Sequence, residues 1–192
     1  MNLPRLIGIT GRAGAGKDTV ADYLVNMLGY TKYPLSAPMK KILNDRFCWT
    51  DANWADREWK EAPLRAAGSL DVDFGVNCFS PRSWAQWLGT EVGRAIGGED
   101  VWVNMVKRAW ANDGHGFAVV PDIRYDNEAR ALKSQGAVIL RVLRPDVGNV
   151  LAHSSEKGIS DYLVDANVPN TLTVNSLIDR SLLALRVVHE SR

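Results

Sequence analysis

Gly11-Arg12-Ala13-Gly14-Ala15-Gly16-Lys17 fits the pattern G-x-x-x-x-G-K. An apolar stretch, Leu3 to Ile9, precedes it, and Pro4 places the start of a strand near Arg5. A helix is predicted from Asp18, with Val20, Leu24, Met27 and Leu28 on one face and Gly29 as terminator. Strand, glycine-rich loop and helix in that order form a phosphate cradle. Small residues let the backbone wrap closely around phosphate oxygens, with N–H groups aimed inward at the positive end of the helix. Lys17 is placed to reach the β- and γ-phosphates of a nucleotide. The residue after the lysine is usually Ser or Thr, whose hydroxyl ligates Mg²⁺. Here Asp18 stands there and Thr19 follows. Asp18 either holds the metal, directly or through water, or caps the helix while Thr19 supplies the hydroxyl. In both cases it adds negative charge beside the phosphates, which Lys17, Arg12 and the metal must offset.

Beyond the helix, the pattern predicts an extended piece, Tyr30 to Leu35, then a helix from Ala37 to Phe47. Residues from about Cys48 to Ser80, with Gly68 and Gly75, read as irregular around one short helix near Asp56 to Ala66. Trp49, Trp54 and Trp59 fall in this excursion, where an indole can stack on a nucleobase. Pro81 opens a helix to about Ile96. Trp84, Leu88, Val92 and Ile96 recur on one side as core, and Arg82, Gln86, Thr90 and Arg94 on the other as a polar face. A helix over Asp100 to Ala111 is expected to turn Trp102, Met105, Val106 and Ala109 inward. Phe117 to Pro121 and Ala137 to Leu143 are continuously apolar strands with a helix, Asn127 to Ser134, between them. Such runs separated by helices describe a buried parallel sheet. Residues 144–170 read as loop and lid, with a last strand at Thr171 to Val174 and a closing helix from Ser176 to His189. The chain is thus expected to be a single α/β P-loop domain. About 48–112 would be a helical acceptor-binding insertion.

A P-loop enzyme needs a second carboxylate at the end of a neighbouring strand. Asp122 is the candidate, ordering Mg²⁺ through water or holding the acceptor. Arg124 lies two residues on, at the carboxyl edge where ligands of open α/β folds gather. Arg144, before Pro145, and then Arg141 are the candidate charge neutralisers of a transferred phosphoryl group. Arg82 and Arg94 suit a monophosphate, since arginine forks match phosphate. Gln86 and Thr90 suit a base or sugar.

Composition narrows the field from the other side. The 192 residues are 46% hydrophobic and 23% charged, with 23 basic and 22 acidic side chains. A net charge of +1 argues against a protein built on a nucleic-acid backbone or an anionic membrane. No apolar run approaches the roughly 20 residues of a membrane span, and about six residues between Arg5 and Arg12 are too few for a signal-peptide core. Cys48 and Cys78 read as reduced thiols of a cytoplasmic protein. His115, His153 and His189 have no metal-ligand spacing. Near-neutral charge and a helix-rich surface permit a homodimer.

Taken together, the motifs resemble those of the phage-type deoxynucleoside monophosphate kinases, a branch of the P-loop kinases. Gly11 to Thr19 reads as that family's Gly-x-x-Gly-x-Gly-Lys-Asp-Thr, so the resemblance makes Asp18 a family feature. Pro34 to Lys40 resembles its segment ending in Pro-x-Lys, and Lys60-Glu61 its Lys-Glu pair. Pro81-Arg82, Gln86, Leu88-Gly89-Thr90-Glu91 and Arg94 resemble its P-R-x-x-x-Q-x-L-G-T-E-x-x-R helix. Asp122-Ile123-Arg124 with Asn127-Glu128-Ala129 resembles its D-x-R-x-x-N-E-A stretch. His153, Ser155, Glu156, Asp165 and Asn170 resemble its tail pattern. Ser36 departs from an expected acidic residue and Asp126 from a usual proline.

The resemblance implies transfer of the γ-phosphoryl of ATP–Mg²⁺ to a deoxynucleoside monophosphate. It implies ATP on Gly11 to Thr19, Mg²⁺ at Asp18, Thr19 and Asp122, and the acceptor on Arg82, Gln86, Thr90, Glu91, Arg94, Asp122 and Arg124, with Lys40 and Lys60 beside them. Two alternatives fit the same loop: a P-loop kinase for another small acceptor such as dephospho-coenzyme A, and an ATP-binding protein without turnover.

Overall fold

The computed structural model describes residues 3–62, 80–145 and 158–192. Its chain divides into two compact units, Met1–Leu35 with Glu99–Arg192, and Ser36–Gly98. Gly68, Gly75, Cys78, His153, Ser155, Glu156 and most of the 144–158 stretch lie outside the described residues, as does the far end of the helix expected to reach Ala66.

The first unit is built on β1 (Leu6–Thr10), whose five residues are all buried. A strand without an exposed side must be covered on both faces and both edges, and β1 is. It lies parallel between β3 (Ala118–Ile123) and β4 (Val138–Leu143). Short β2 (Thr31–Lys32) adds to β3, and β5 (Ala166–Pro169) to β4, giving the order β2-β3-β1-β4-β5, parallel throughout. Sequential strands therefore step away from β1 on opposite sides, and the loop after β1 opens at this reversal, where open α/β sheets bind ligands. α1 (Lys17–Leu28) and α9 (Val174–Glu190) share one core with the sheet, closed by Val20, Ala21, Leu24, Leu177 and Leu185. The Gly29 and Tyr30 N–H groups return to the Val25 and Leu24 carbonyls and end α1.

Several expectations change. The inward face of α1 takes small Ala21, and Met27 is exposed. α7 (Val101–Asn112) buries Trp102, Val103, Val106 and Trp110, leaving Met105 and Ala109 outside. The last strand is Ala166–Pro169, inside the stretch expected to be loop. Pro169 is tolerated because β5 is an edge strand, and Thr173 instead caps α9 by accepting from Ser176 N–H. β3 continues through Pro121, so Asp122 belongs to the strand.

The second unit is helical. α2 (Ala37–Phe47) is followed by α3 (Asp51–Ala55), which the sequence pattern missed, and α4 (Arg57–Glu61), capped by Asp56. α3 owes its start to a Thr50/Asn53 capping box. The helix expected from Pro81 to Ile96 is three pieces: α5 (Pro81–Trp87), a π-turn over Leu88–Val92, and α6 (Gly93–Gly97). A π-turn inserts an extra residue and rotates all that follows. The four-residue repeat therefore breaks, and Ile96, expected in the core, is 84% exposed. Gly89 in the turn is buried, and a Cβ there would meet Met39 Sδ at 2.2 Å. Aromatic rings fill this unit. Trp49 lies 5.0 Å from Trp59 and 5.6 Å from Trp54, Phe47 bridges Trp49 to Trp84, and Trp84 meets Trp87 at 5.5 Å. The excursion's three indoles thus pack on one another.

Candidate active site

The loop from Gly11 to Gly16 leaves the end of β1 and becomes the N-terminus of α1. Gly16 is the N-cap at φ 105°, so Asp18 is not the cap of the helix: it stands inside the first turn, with its carboxylate on Lys32. A Cβ at Gly16 would lie 2.8 Å from Asn170 Nδ2 and 3.0 Å from a Leu177 methyl. Gly11, at φ 141°, passes so close to β4 that a Cβ would meet the Val142 carbonyl oxygen at 2.4 Å. Two glycines are thus required by conformation and by space. Ala15 is buried, its N–H donating to the Arg12 carbonyl. The Lys17 ammonium folds back and donates to the carbonyls of Gly11 at 2.7 Å and Arg12 at 2.8 Å. The loop therefore encloses its own cation, as a polyphosphate site requires.

Around the loop the sheet unit supplies braces. Asn170, just past β5, donates from Nδ2 to the Ala15 carbonyl at 2.9 Å, and its own N–H donates to the Leu143 carbonyl. Arg144 reaches the Gly14 carbonyl from the end of β4 at 3.4 Å. Arg141 does something else. Its guanidinium donates to Asp161 and to the Ile159 carbonyl, tying that segment to β4. Beside Thr19, an open pocket of about 290 Å³ is lined by Tyr23, Val174, Asn175, Ile178 and Asp179.

The D-x-R-x-x-N-E-A residues run from the end of β3 into the helix that follows it. Asp122 Oδ1 accepts the Leu35 N–H at 2.7 Å, joining the end of β3 to the chain beyond β2. Glu128, only 4% exposed, accepts the N–H groups of Arg124 and Tyr125 and opens α8 (Asp126–Lys133). Asn127 holds the Glu99 carbonyl and Asp100. Asp126, in the place of a proline, accepts both the N–H and hydroxyl of Ser160, which hold its carboxyl below the usual carboxylate range.

The residue that sequence reasoning missed is Lys32. Its Nζ lies 3.2 Å from Asp18 Oδ1 and 2.9 Å from Asp22 Oδ1. Burial pushes this ammonium down, but the bonds to Asp22 and Asp18 outweigh it and hold it above the usual lysine value. Its one sequence signal is that no other charged residue stands between Gly29 and Leu35.

The second unit gathers most of the residues expected to meet an acceptor. Arg82 Nε lies 2.6 Å from Glu61 Oε1, joining the Lys-Glu pair to the Pro-Arg helix. Lys40 Nζ sits 5.5 Å over the Trp54 ring. Gln86, Thr90, Arg94 and Lys60 are half-buried, and Glu91 is exposed. The expectation that one excursion indole waits for a base changes, since Trp49, Trp54 and Trp59 meet edge to face.

Among the described residues, no group of three or more His, Cys, Asp or Glu side chains stands ready to hold a metal. The oxygen donors of Asp18, Thr19 and Asp122 suit Mg²⁺, which binds through one or two carboxylates, waters and substrate phosphates rather than a full protein cage. No helix among the described residues is long and apolar enough to cross a membrane.

A five-stranded parallel sheet with this loop at its reversal point defines a P-loop nucleotide-binding fold. A solved dephospho-CoA kinase from Campylobacter jejuni shares the fold, with a TM-score of 0.50 at 10% identity over 97% of this chain and 98% of that one. The model of the family "Deoxynucleotide monophosphate kinase" matches residues 71–180, and the chain belongs to that family. A protein of Acanthamoeba polyphaga mimivirus named as a deoxynucleotide monophosphate kinase is 30% identical, over 79% of this chain and 80% of its own. The deoxynucleoside-5′-monophosphate kinase of Escherichia phage T5 is 22% identical over 91% and 89%. The deoxynucleotide monophosphate kinase of Enterobacteria phage T4 is 22% identical over 96% and 100%.

Proposed function

We propose that the protein transfers the γ-phosphoryl group of ATP–Mg²⁺ to a deoxynucleoside 5′-monophosphate, giving ADP and the deoxynucleoside diphosphate. The observation that carries this reading is the loop after β1. It is glycine-shaped, opens on the N-terminus of α1, and encloses the Lys17 ammonium. In a chain of this family, such a loop is a nucleotide donor site.

The polyphosphate takes the backbone N–H groups of Gly11 to Thr19, and Lys17 exchanges the Gly11 and Arg12 carbonyls for β- and γ-phosphate oxygens. The donor's nucleoside takes the pocket beside Thr19 and Tyr23. Thr19, and Asp122 through water, would hold Mg²⁺, which would supply charge neutralisation at the transferred phosphoryl group, with Asp18 held beside them by Lys32. An acceptor phosphate oxygen attacks the γ-phosphorus as the bond to the β-phosphate oxygen breaks. That oxygen is already anionic, so no general base is required. Catalysis is then positioning and charge neutralisation. Arg144, already beside Gly14, is the better placed of the two strand-end arginines, since Arg141 holds Asp161. Arg82 and Arg94, with Lys40 and Lys60, are assigned to the acceptor phosphate, and Gln86, Thr90 and Glu91 to its nucleoside. Arg124, in the sheet unit, is likewise assigned to phosphate binding. A cytoplasmic location suits such substrates.

The test is ADP release from ATP–Mg²⁺ with dAMP, dGMP, dCMP, dTMP and their ribose counterparts, beside Lys17→Ala. Turnover with deoxy acceptors that falls at least 100-fold in the variant is the expected result. ATP binding without turnover on any acceptor would overturn it in favour of a binding protein. Turnover only on dephospho-coenzyme A would move the acceptor class.

A further inference from the structure

Asp18 and Asp22 stand one turn apart on α1, where like charges repel. Asp18 also follows Lys17 directly, so any polyphosphate on the loop has a carboxylate for a neighbour. Lys17 and Arg12 belong to the loop itself. The structure supplies a further cation from a different element. Lys32 comes from β2, where its backbone is in register with Val119 of β3. Its side chain is 27% exposed, against 79% for Asp18 and 57% for Asp22. The cation is therefore rooted in the sheet, and the two exposed carboxylates gather on it.

We propose that Lys32 is a positioning residue of the donor site. It holds the Asp18 carboxylate toward β2 and offsets its charge, so that an anionic polyphosphate can occupy a loop that carries an acidic residue after its lysine. It acts through Asp18 and does not itself touch the nucleotide. This assignment rests on the reading of Gly11 to Thr19 as the ATP site. It accounts for a physical difficulty that Asp18 creates, since a carboxylate there repels the ligand the loop is shaped to bind.

The experiment is a double-mutant cycle read by calorimetric titration with ATP in MgCl₂, without acceptor, on wild type, K32M, D18N and the double variant. K32M is expected to weaken ATP binding about 5- to 10-fold at low salt, the scale of a partly exposed charge placed near a bound anion. K32R should bind within about 2-fold of wild type, because it restores the charge. In the D18N background, K32M should cost less than about 2-fold, because a neutral amide has no charge to offset. Thermal melts of all variants, run alongside, separate loss of binding from loss of fold. An equal loss from K32M in both backgrounds overturns the proposal, because Lys32 would then act on the nucleotide or the fold directly. K32M that binds ATP as wild type does also overturns it, while leaving the ATP site intact. Wild-type protein that binds no ATP overturns the kinase reading and this assignment with it.

Discussion

Gly16 answers to conformation and to space at once. Its φ of 105° is costly for any residue with a Cβ, and that Cβ would press on Asn170 Nδ2 and Leu177. Gly16→Ala is expected to destabilise the fold by about 1–3 kcal/mol and to abolish detectable ATP binding, measured by denaturant melts and titration. Asn170→Ala removes the side-chain bond to the Ala15 carbonyl while leaving the Asn170 N–H on Leu143. It should cost about 1 kcal/mol and raise the KM for ATP with little change in the KM for acceptor. The loop itself is legible in the sequence because all its chemistry is local: glycine spacing, a lysine and a following helix. The partner of Asp18 is not, because Lys32 stands 14 residues away and meets it only through the register of β2. Arg141 misleads for a related reason. A strand-end arginine looks available in a sequence, and only the return of Ile159 and Asp161 to β4 shows that it is engaged.

At the level of the elements, the short strand β5 depends on Asp165. Its carboxylate accepts from Lys133, from Arg192 and from the Ile139 N–H, each at 2.8 Å, and its N–H returns to the Ile139 carbonyl. Burial pushes this carboxyl up, but the bonds to Lys133, Ile139 and Arg192 prevail and hold it below the usual carboxylate range. A depressed carboxyl stabilises the fold above its unfolded pKa of about 4 and loses that contribution as pH falls through its folded value. Wild type should therefore lose Tm more steeply below about pH 4 than Asp165→Asn. At neutral pH the variant should already be less stable by about 2 kcal/mol. Equal slopes in calorimetric scans would refute this. On α9, Leu185 is fully buried against the sheet, and Leu185→Ala should cost about 2–5 kcal/mol in denaturant melts. Elements with strong periods, β1, β3, β4 and α9, are readable in the sequence. β5 is not, since four residues ending in Pro169 carry too little pattern. The helix from Pro81 is half readable, because a π-turn shifts the period without altering composition.

For the molecule as a whole, the two units are stabilised differently. The sheet unit buries β1, β3 and β4 almost completely. In the 36–98 unit, the described residues that are buried are Leu43, Trp54, Pro81 and Gly89, and its interior is mainly ring on ring. Local opening follows apolar burial. Hydrogen exchange should find β1, β3 and β4 amides opening with global unfolding, and those of α3 to α6 exchanging at least 10-fold faster. Uniform protection would show a single cooperative block.

The same rings give the protein an optical signature. Five of its seven tryptophans fall within Ser36–Gly98. Three of these, Trp49, Trp54 and Trp59, lie within 5.0–5.6 Å of one another. At such spacing, transition dipoles couple and excitation migrates between indoles before it is emitted. The emission is therefore strongly depolarised even in a rigid protein, and the near-ultraviolet dichroism carries paired bands of opposite sign. A quencher that reaches any one ring of the cluster darkens the others with it, so light alone reports the condition of the helical unit without a label.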